Sequence, residues 1–299
     1  MRIGRVASVS DTGRRRLRNE DAYVCDPPLF AVADGMGGAQ AGELASRLAA
    51  TALEEGGRGE RGETAVAELV QAANARVYRR ALEDPAAAGM GTTVTVGLFD
   101  GESGTITIGH VGDSRAYRIR DERLEQLTAD HSLVAELVRT GRLTPEQAAE
   151  HPHRSVITRA LGTEPNVDVD TFTIEAAPGD LYLLCSDGLT TMVGDDEILA
   201  LAAASVHDPQ PVAQSLVETA NRAGGEDNIT VVVFEVVECE PGGEDPPAEV
   251  AEPEASPADA VTAPVRRRGA GKGGRALALL AVTVIFAAAA LVVLWSIRR

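Results

Sequence analysis

The chain has 299 residues, enough for one large α/β domain or two ordinary ones, and 44% of them are hydrophobic, so a sizeable core can form. Its formal net charge of −17 argues against a protein that binds nucleic acid through a basic surface. Its 3 cysteines form no CxxC pair, which excludes a disulfide framework and a zinc site of the usual spacing.

The first 238 residues alternate apolar, strand-like runs with alanine-rich helical stretches. The predicted strands are residues 3–9, 29–33, 92–98, 105–111, 115–120, 167–174, 180–185 and 229–237. The predicted helices are residues 41–54, 64–82 and 131–139, a helix that begins after Thr144, and one from Asp208 to about Gly224. Because the strands group as hairpins with long helices between some of them, we expect an α+β domain of layered sheets and helices.

The composition predicts three segments. Residues 1–238 form a globular domain, residues 239–275 an acidic, proline-rich linker with a basic end, and residues 276–297 a transmembrane helix. The last segment has no charge between Arg275 and Arg298, and as a helix it is about 33 Å long, close to the thickness of a bilayer core. A soluble buried helix is the alternative, but this segment has no polar face.

The predicted topology places the globular domain in the cytoplasm. Five basic residues precede the apolar segment and two follow it, so the positive-inside rule puts its N-terminal side in the cytoplasm. The first ten residues also lack the apolar stretch of a secretory signal peptide. We therefore expect a single-pass protein of the cell membrane with a cytoplasmic domain.

Four aspartates lie next to predicted strands. Asp34, Asp113 and Asp187 follow apolar runs and precede glycine or serine, whereas Asp227 precedes a strand. One Asp-Gly pair alone is typical of a tight turn. Four such acids, most without a neighbouring lysine or arginine, predict carboxylates that converge on a hard cation such as Mg²⁺ or Mn²⁺. The glycine-rich run at residues 35–42 lacks the GK[ST] ending of a nucleotide-binding loop.

Six motifs occur in order across residues 3–237. They are Asp11-x-Gly-x-x-Arg16-x-x-Asn-Glu20-Asp21, Ala33-Asp-Gly-Met-Gly-Gly, Gly91-Thr-Thr, Gly112-Asp-Ser-Arg, Ser186-Asp-Gly-Leu and Glu226-Asp-Asn-Ile-Thr. Together they resemble the metal-dependent protein phosphatase family of the 2C type, and the bacterial branch in particular. The resemblance implies two packed antiparallel β-sheets flanked by α-helices, a four-layer sandwich.

The resemblance also implies a protein serine/threonine phosphatase that uses Mn²⁺ or Mg²⁺ and a metal-bridged hydroxide to hydrolyse phosphoserine and phosphothreonine. Asp34 would bridge two ions, Gly35 would offer its carbonyl oxygen to one, and Asp187 and Asp227 would complete the other. Asp113 would bind a third, weaker ion shared with Asp187.

Further roles are implied in the same way. Glu20 and Asp21 would hold metal-bound waters, Arg16 would bind the substrate phosphate, and Asn228 would orient the loop of Asp227. The alternative for Arg16 is a solvated basic turn, because Arg14, Arg15 and Arg18 are close by. Expected partners are phosphorylated proteins, including membrane-associated serine/threonine kinases and their substrates.

Two other functions fit the pattern. A catalytically inactive phosphatase fold could bind phosphoproteins or regulate them, and a cation-binding domain could be purely structural. The complete set Asp34, Asp187 and Asp227 argues against the first.

Other candidate groups are less informative. Met36 stands where eukaryotic relatives commonly have histidine, so no leaving-group acid is assigned. His131 is expected to cap or brace a helix start, Cys185 to be a buried strand residue, and His151 and His153 to lie in the mobile flap at residues 139–159.

Overall fold

The computed structural model describes residues 1–239, apart from Ala39, Glu60, Val206 and His207. The predicted transmembrane helix and nearly all of the predicted linker lie outside these residues. In the described part of the chain, no helix is long and apolar enough to cross a membrane.

Within the described residues, eleven strands form two antiparallel sheets. The strands are β1 (Arg2–Asp11), β2 (Asp21–Asp26), β3 (Leu29–Met36), β4 (Gly91–Thr92), β5 (Val94–Asp100), β6 (Thr105–Val111), β7 (Arg115–Arg120), β8 (Arg123–Gln126), β9 (Asp170–Glu175), β10 (Leu181–Cys185) and β11 (Ile229–Val237). The first sheet has the order β1-β11-β10-β7-β8. The second has the order β2-β3-β5-β6-β9, and β4 pairs with β3 beside this path.

Seven α-helices of the described part of the chain accompany the sheets. They are α1 (Ala41–Gly56), α2 (Glu63–Glu83), α3 (Leu133–Arg139), α4 (Pro145–Ala149), α5 (Asp187–Thr190), α6 (Asp195–Ala204) and α7 (Pro209–Ala223). Helices α1 and α2 pack on the second sheet, whereas α6 and α7 pack on the first. The predicted helix start at Thr144 is confirmed by a capping box, in which the side chains of Thr144 and Gln147 each accept a backbone N–H of the other.

The two sheets pack face to face over a third apolar cluster. At its centre the ring of Phe30, from β3, stacks on Phe234, from β11, with 3.8 Å between centroids. Tyr182, the cross-strand neighbour of Phe234 on β10, also stacks with Phe234, with 5.2 Å between centroids. Helix, sheet, sheet and helix therefore form four layers, which confirms the α+β sandwich.

Several predicted elements differ from the structure. The strand predicted at residues 29–33 continues through Asp34 to Met36, because Gly35 and Met36 pair with Thr92 and Gly91. Strands β2 and β8 and helices α5 and α6 were not predicted. Strand β8 is largely exposed and shows no clean alternation, so its sequence gives a weak signal.

Candidate active site

The predicted acidic residues meet at one end of the two sheets. Asp21 lies directly opposite Asp34 in the pairing of β2 and β3. Asp113 follows β6, Asp187 follows β10, and Asp227 precedes β11. Each carboxylate leaves a sheet at the same end, so the fold itself brings residues from distant parts of the chain together.

The charges of these acids oppose one another. Burial raises the pKa of Asp34 well above its usual value, and repulsion from Asp21, Asp187, Asp113 and Asp227 raises it further. Five acids this close together destabilise the fold unless bound protons or cations neutralise their charge.

Three neighbours show the same effect. Burial raises the pKa of Asp187 to about 6, helped by repulsion from Asp227. Burial raises the pKa of Asp113 to about 7, with Asp187 as the next contributor. Burial also raises the pKa of Asp21 to about 7, although hydrogen bonds from Thr230 and Ser186 act in the opposite direction.

Among the residues that the structure describes, two buried carboxylate oxygens have no hydrogen-bond partner: Oδ1 of Asp21 and Oδ1 of Asp187. A buried anionic oxygen without a donor is costly, and a hard divalent cation would satisfy it. Within the described residues, no three acidic, histidine or cysteine side chains form a complete metal cage. A cation such as Mg²⁺ keeps several waters and takes only one or two carboxylates from protein, so the residues present fit such an ion.

Gly35 lies at the centre of this acidic cluster, and its close contacts explain the glycine. A Cβ atom there would be 2.2 Å from the carbonyl oxygen of Gly42 and 2.5 Å from that of Glu20. A Cβ atom on Gly42 would in turn be 2.0 Å from Oε2 of Glu20. Glycine is thus required by the close approach of α1, β2 and β3.

Asn228 organises more than its own loop. Its backbone N–H donates to Oδ1 of Asp227 at 2.8 Å, as expected of a residue that orients this loop. Its Nδ2 also donates to the carbonyl oxygens of Thr12 and Arg18, at 2.9 Å each. Its Oδ1 accepts from the backbone N–H of Glu20 at 2.8 Å.

Arg16 lies at the mouth of the site. Its Nη2 is 2.7 Å from Oδ2 of Asp227, and its side chain is 48% exposed. A guanidinium in this position is near the carboxylates and open to a ligand. Arg16 thus forms an ion pair with one of the clustered acids, and its binding of phosphate stays a prediction.

Three supporting residues escaped the sequence analysis. Ser186 donates to Oδ2 of Asp21 at 2.8 Å. Thr93 Oγ1 accepts from the backbone N–H of Asp34 at 3.0 Å and lies 2.6 Å from the hydroxyl of Ser114. All three belong to the quoted motifs, which is the available signal, but their contacts depend on how the strands pair and the sheets pack.

A cleft of about 1160 Å³ adjoins the acidic cluster. It is lined by Asp113 and Asp187 together with residues of α3 and of α4, which lies in the expected flap. His131 braces this region: its Nδ1 accepts from the backbone N–H of Gly112 at 3.0 Å, and its Nε2 is 3.1 Å from Asp170. The helix cap of α3 is Ser132 instead.

The remaining candidates lie apart from the acids. Cys185 is fully buried in β10, and burial raises the pKa of its thiol to about 12, so it is no nucleophile. His151 and His153 lie in the segment after α4, with their ring centroids 5.6 Å apart. Neither ring takes part in the acidic cluster.

Comparison with known proteins gives a consistent result. The family model described as Protein phosphatase 2C matches residues 13–231. The serine/threonine protein phosphatase PstP of Mycobacterium tuberculosis is 44% identical over 245 residues, which are 81% of this chain and 47% of PstP. The chain thus spans about half the length of that relative. The serine/threonine phosphatase stp of Listeria monocytogenes is 39% identical over 238 residues, which are 76% of this chain and 93% of stp.

Solved structures of bacterial phosphatases have the same fold as this chain. A crystal structure of M. tuberculosis PstP/Ppp superposes with a TM-score of 0.74 at 42% identity, covering 79% of this chain and 100% of that one. The catalytic domain of PstP in complex with 2 manganese ions gives a TM-score of 0.72 at 41% identity, covering 80% and 100%. With the motifs, the four-layer fold and the acidic cluster in place, the chain belongs to the protein phosphatase 2C family of metal-dependent protein phosphatases.

Proposed function

We propose that residues 1–238 form a protein serine/threonine phosphatase that requires Mn²⁺ or Mg²⁺. One observation supports this above all: five aspartates converge at one end of the sheets, and two of their buried oxygens have no protein partner. Relatives named as serine/threonine phosphatases share the fold, and one of them has been solved with 2 manganese ions.

Four residues would hold the two ions: Asp34, Asp187 and Asp227 through their carboxylates and Gly35 through its carbonyl oxygen. Asp113, repelled by Asp187, would serve a third ion. When bound, paired divalent ions lower the pKa of a water and neutralise the oxygens of a phosphoryl group. Positive charge would also relieve the repulsion that raises the pKa values of Asp34, Asp113 and Asp187.

Arg16 would bind the substrate phosphate. Its planar guanidinium presents paired donors that match phosphate oxygens, and its half-exposed position lets a ligand reach it. Glu20 and Asp21 lie beside the ligand set, where their carboxylates would accept hydrogen bonds from water. Met36 has no proton to give, so none of the site residues named here is assigned as an acid for the leaving group.

The proposal is tested with a phosphothreonine peptide and Mn²⁺. We expect hydrolysis that stops with EDTA and that Asp227→Ala reduces at least a hundredfold, as typical for loss of a catalytic group. Asp121→Asn is the control, because Asp121 is exposed in the turn between β7 and β8, at the far end of the sheet.

Mn²⁺ binding measured by calorimetry shows whether a protein that does not hydrolyse the peptide is loaded with metal. An inactive regulatory module or a structural cation-binding domain would bind ions without hydrolysing the peptide at any Mn²⁺ concentration. Absence of turnover by a folded, Mn²⁺-loaded wild-type protein would refute the phosphatase.

We also propose that residues 276–297 anchor the domain to the cell membrane, with the domain in the cytoplasm. The support is the uncharged run between Arg275 and Arg298 and the excess of basic residues before it. Such tethering would raise the effective concentration of phosphorylated membrane proteins, including kinases. Removal of residues 266–299 should move the protein from the membrane fraction to the soluble fraction, and an unchanged distribution would contradict the anchor.

A further inference from the structure

The loop between β1 and β2 is unusually basic. Residues 14–18 are all exposed, and four of the five are arginines, in a chain whose net charge is −17. The loop includes Arg16, at the mouth of the acidic site. A local positive surface thus lies beside the centre of a protein that is otherwise strongly acidic.

Backbone contacts fix this loop. The backbone N–H groups of Arg14 and Arg15 both donate to the carbonyl oxygen of Gly225, at 2.7 and 3.2 Å. Gly13 has a φ of +79°, and a Cβ atom there would be 2.1 Å from the carbonyl oxygen of Asp227. Asn228 adds its bonds to both ends of the loop. The arginines are therefore held together next to Asp227 despite their mutual repulsion.

Two arginines of the loop have acidic partners and two do not. Arg16 pairs with Asp227, and Arg18 lies 3.6 Å from Glu43. Among the residues that the structure describes, Arg14 and Arg15 make no ion pair. Glu226, the acid that follows Gly225, lies 3.6 Å from Arg154 instead.

Arg14 and Arg15 are close enough to Arg16 to contact the same substrate. Residues two apart have Cα atoms at most about 7 Å from one another, in the loop and in an extended peptide alike. We propose that Arg14 and Arg15 bind acidic side chains within about three residues of the phosphorylated serine or threonine, so that the domain selects acidic phosphopeptides. This inference rests on the proposed function and names its substrate class.

The test compares two phosphothreonine peptides that differ only in their flanks, one with aspartates and one with asparagines. With the full-length protein and Mn²⁺, we expect kcat/KM to favour the acidic peptide by about tenfold, chiefly through KM. In the double variant Arg14→Gln/Arg15→Gln this ratio should fall to near one. The wild-type preference should also weaken as salt rises from about 0.05 to 0.5 M, because exposed charges are screened.

The matched control is Arg58→Gln/Arg123→Gln. It removes the same charge, but Arg123 and the partner of Arg58, Asp26, lie at the sheet ends opposite the site. This variant should keep the wild-type ratio. If it loses the ratio as fully as the loop variant does, net charge explains the preference and the inference is overturned.

Three other results would overturn the inference. The first is a wild-type enzyme that hydrolyses both peptides equally well, and the second is a loop variant that keeps the preference. The third is loss of binding to anionic lipid vesicles in the loop variant with an unchanged peptide ratio, which would assign the arginines to a membrane surface. In all three the proposed function stands, whereas hydrolysis of neither peptide would refute that function and this inference with it.

Discussion

Ser186 Oγ donates a 2.8 Å hydrogen bond to Oδ2 of Asp21, and this bond joins the two sheets at the active site. The same hydroxyl accepts from the backbone N–H of Thr230 at 3.0 Å. Ser186 is fully buried, so no water can replace it without rearrangement. It holds Asp21 while the other oxygen of that carboxylate remains without a protein partner.

Ser186→Ala should therefore weaken both metal binding and the fold. Loss of a residue that supports a metal ligand typically lowers metal affinity about tenfold or more. The buried groups left without a partner should lower the free energy of unfolding by about 1–3 kcal/mol. Calorimetric titration with Mn²⁺ measures the metal affinity, and urea unfolding measures the free energy of unfolding. Ser215→Ala is the control, since its hydroxyl bonds only within α7, and an unchanged Mn²⁺ affinity in Ser186→Ala would contradict the assigned role.

Gly42→Ala tests the crowding around Glu20. Alanine normally stabilises a helix by about 1 kcal/mol relative to glycine. Here its Cβ atom would be 2.0 Å from Oε2 of Glu20, so we expect a net loss of about 1–3 kcal/mol and weaker Mn²⁺ binding. Gly59→Ala serves as the comparison, because the nearest atom to its added Cβ, the carbonyl oxygen of Gly56, would be 3.5 Å away, an ordinary contact. Equal stability of the two variants would show that Glu20 moves aside freely.

The sequence predicts the acidic residues of the site better than it predicts the hydrogen bonds that hold them in place. Asp34, Asp113, Asp187 and Asp227 each have a local signal, an adjacent apolar strand, that reveals their common position. The bond from Ser186 to Asp21 joins residues 165 apart, and only the packing of the two sheets creates it. Contacts of this kind have no periodicity in sequence that could predict them.

The bounds of the strands, too, are predicted well where they depend on local sequence and poorly where they depend on pairing with a distant strand. Strands β6 and β7 match their predicted ranges, because alternation within one strand is a local property. The end of β3 was placed too early, because Gly35 and Met36 become strand residues only by pairing with β4, more than fifty residues later. Tertiary pairing thus decides where Asp34 lies, in the strand and opposite Asp21.

Metal removal should make stability depend on pH near neutrality. Burial and mutual repulsion raise the pKa of Asp187 to about 6 and those of Asp21 and Asp113 to about 7. A carboxyl group whose pKa is higher in the folded than in the unfolded state binds more protons when folded. Its favourable contribution is complete below about pH 4, the usual pKa of aspartate, and is lost as pH rises through 6 and 7.

Thermal unfolding in EDTA should therefore show Tm falling between pH 5 and 8. Saturating Mn²⁺ should restore Tm at pH 8, since a ligand that binds only the folded state stabilises it. The control is Asp113→Asn, which should reduce the fall in EDTA because it removes one of the repelling carboxylates. A Tm that is constant over this range without metal would show that the acids do not repel one another as the structure indicates.

Asp180, far from the active site, should make stability depend on pH with the opposite sign. Burial alone would raise the pKa of Asp180, but hydrogen bonds from Arg120, the backbone N–H of Ala177 and the hydroxyl of Tyr182 lower it overall. The guanidinium of Arg120 binds both carboxylate oxygens, through Nε at 2.6 Å and Nη2 at 2.5 Å. Because Asp180 is 1% exposed, loss of its charge leaves this network unsatisfied.

A lowered pKa means that folded Asp180 binds fewer protons than unfolded Asp180, so its contribution is present above about pH 4 and lost as pH falls below it. Asp180→Asn should cost about 3 kcal/mol at pH 7 and less at pH 3, which flattens the acid limb of the stability curve. Urea unfolding at both pH values measures this. Glu125→Gln, which breaks an exposed pair with Arg118, should cost less than about 1 kcal/mol at pH 7, and an equal cost in the two variants would show that burial of Asp180 does not strengthen its ion pair.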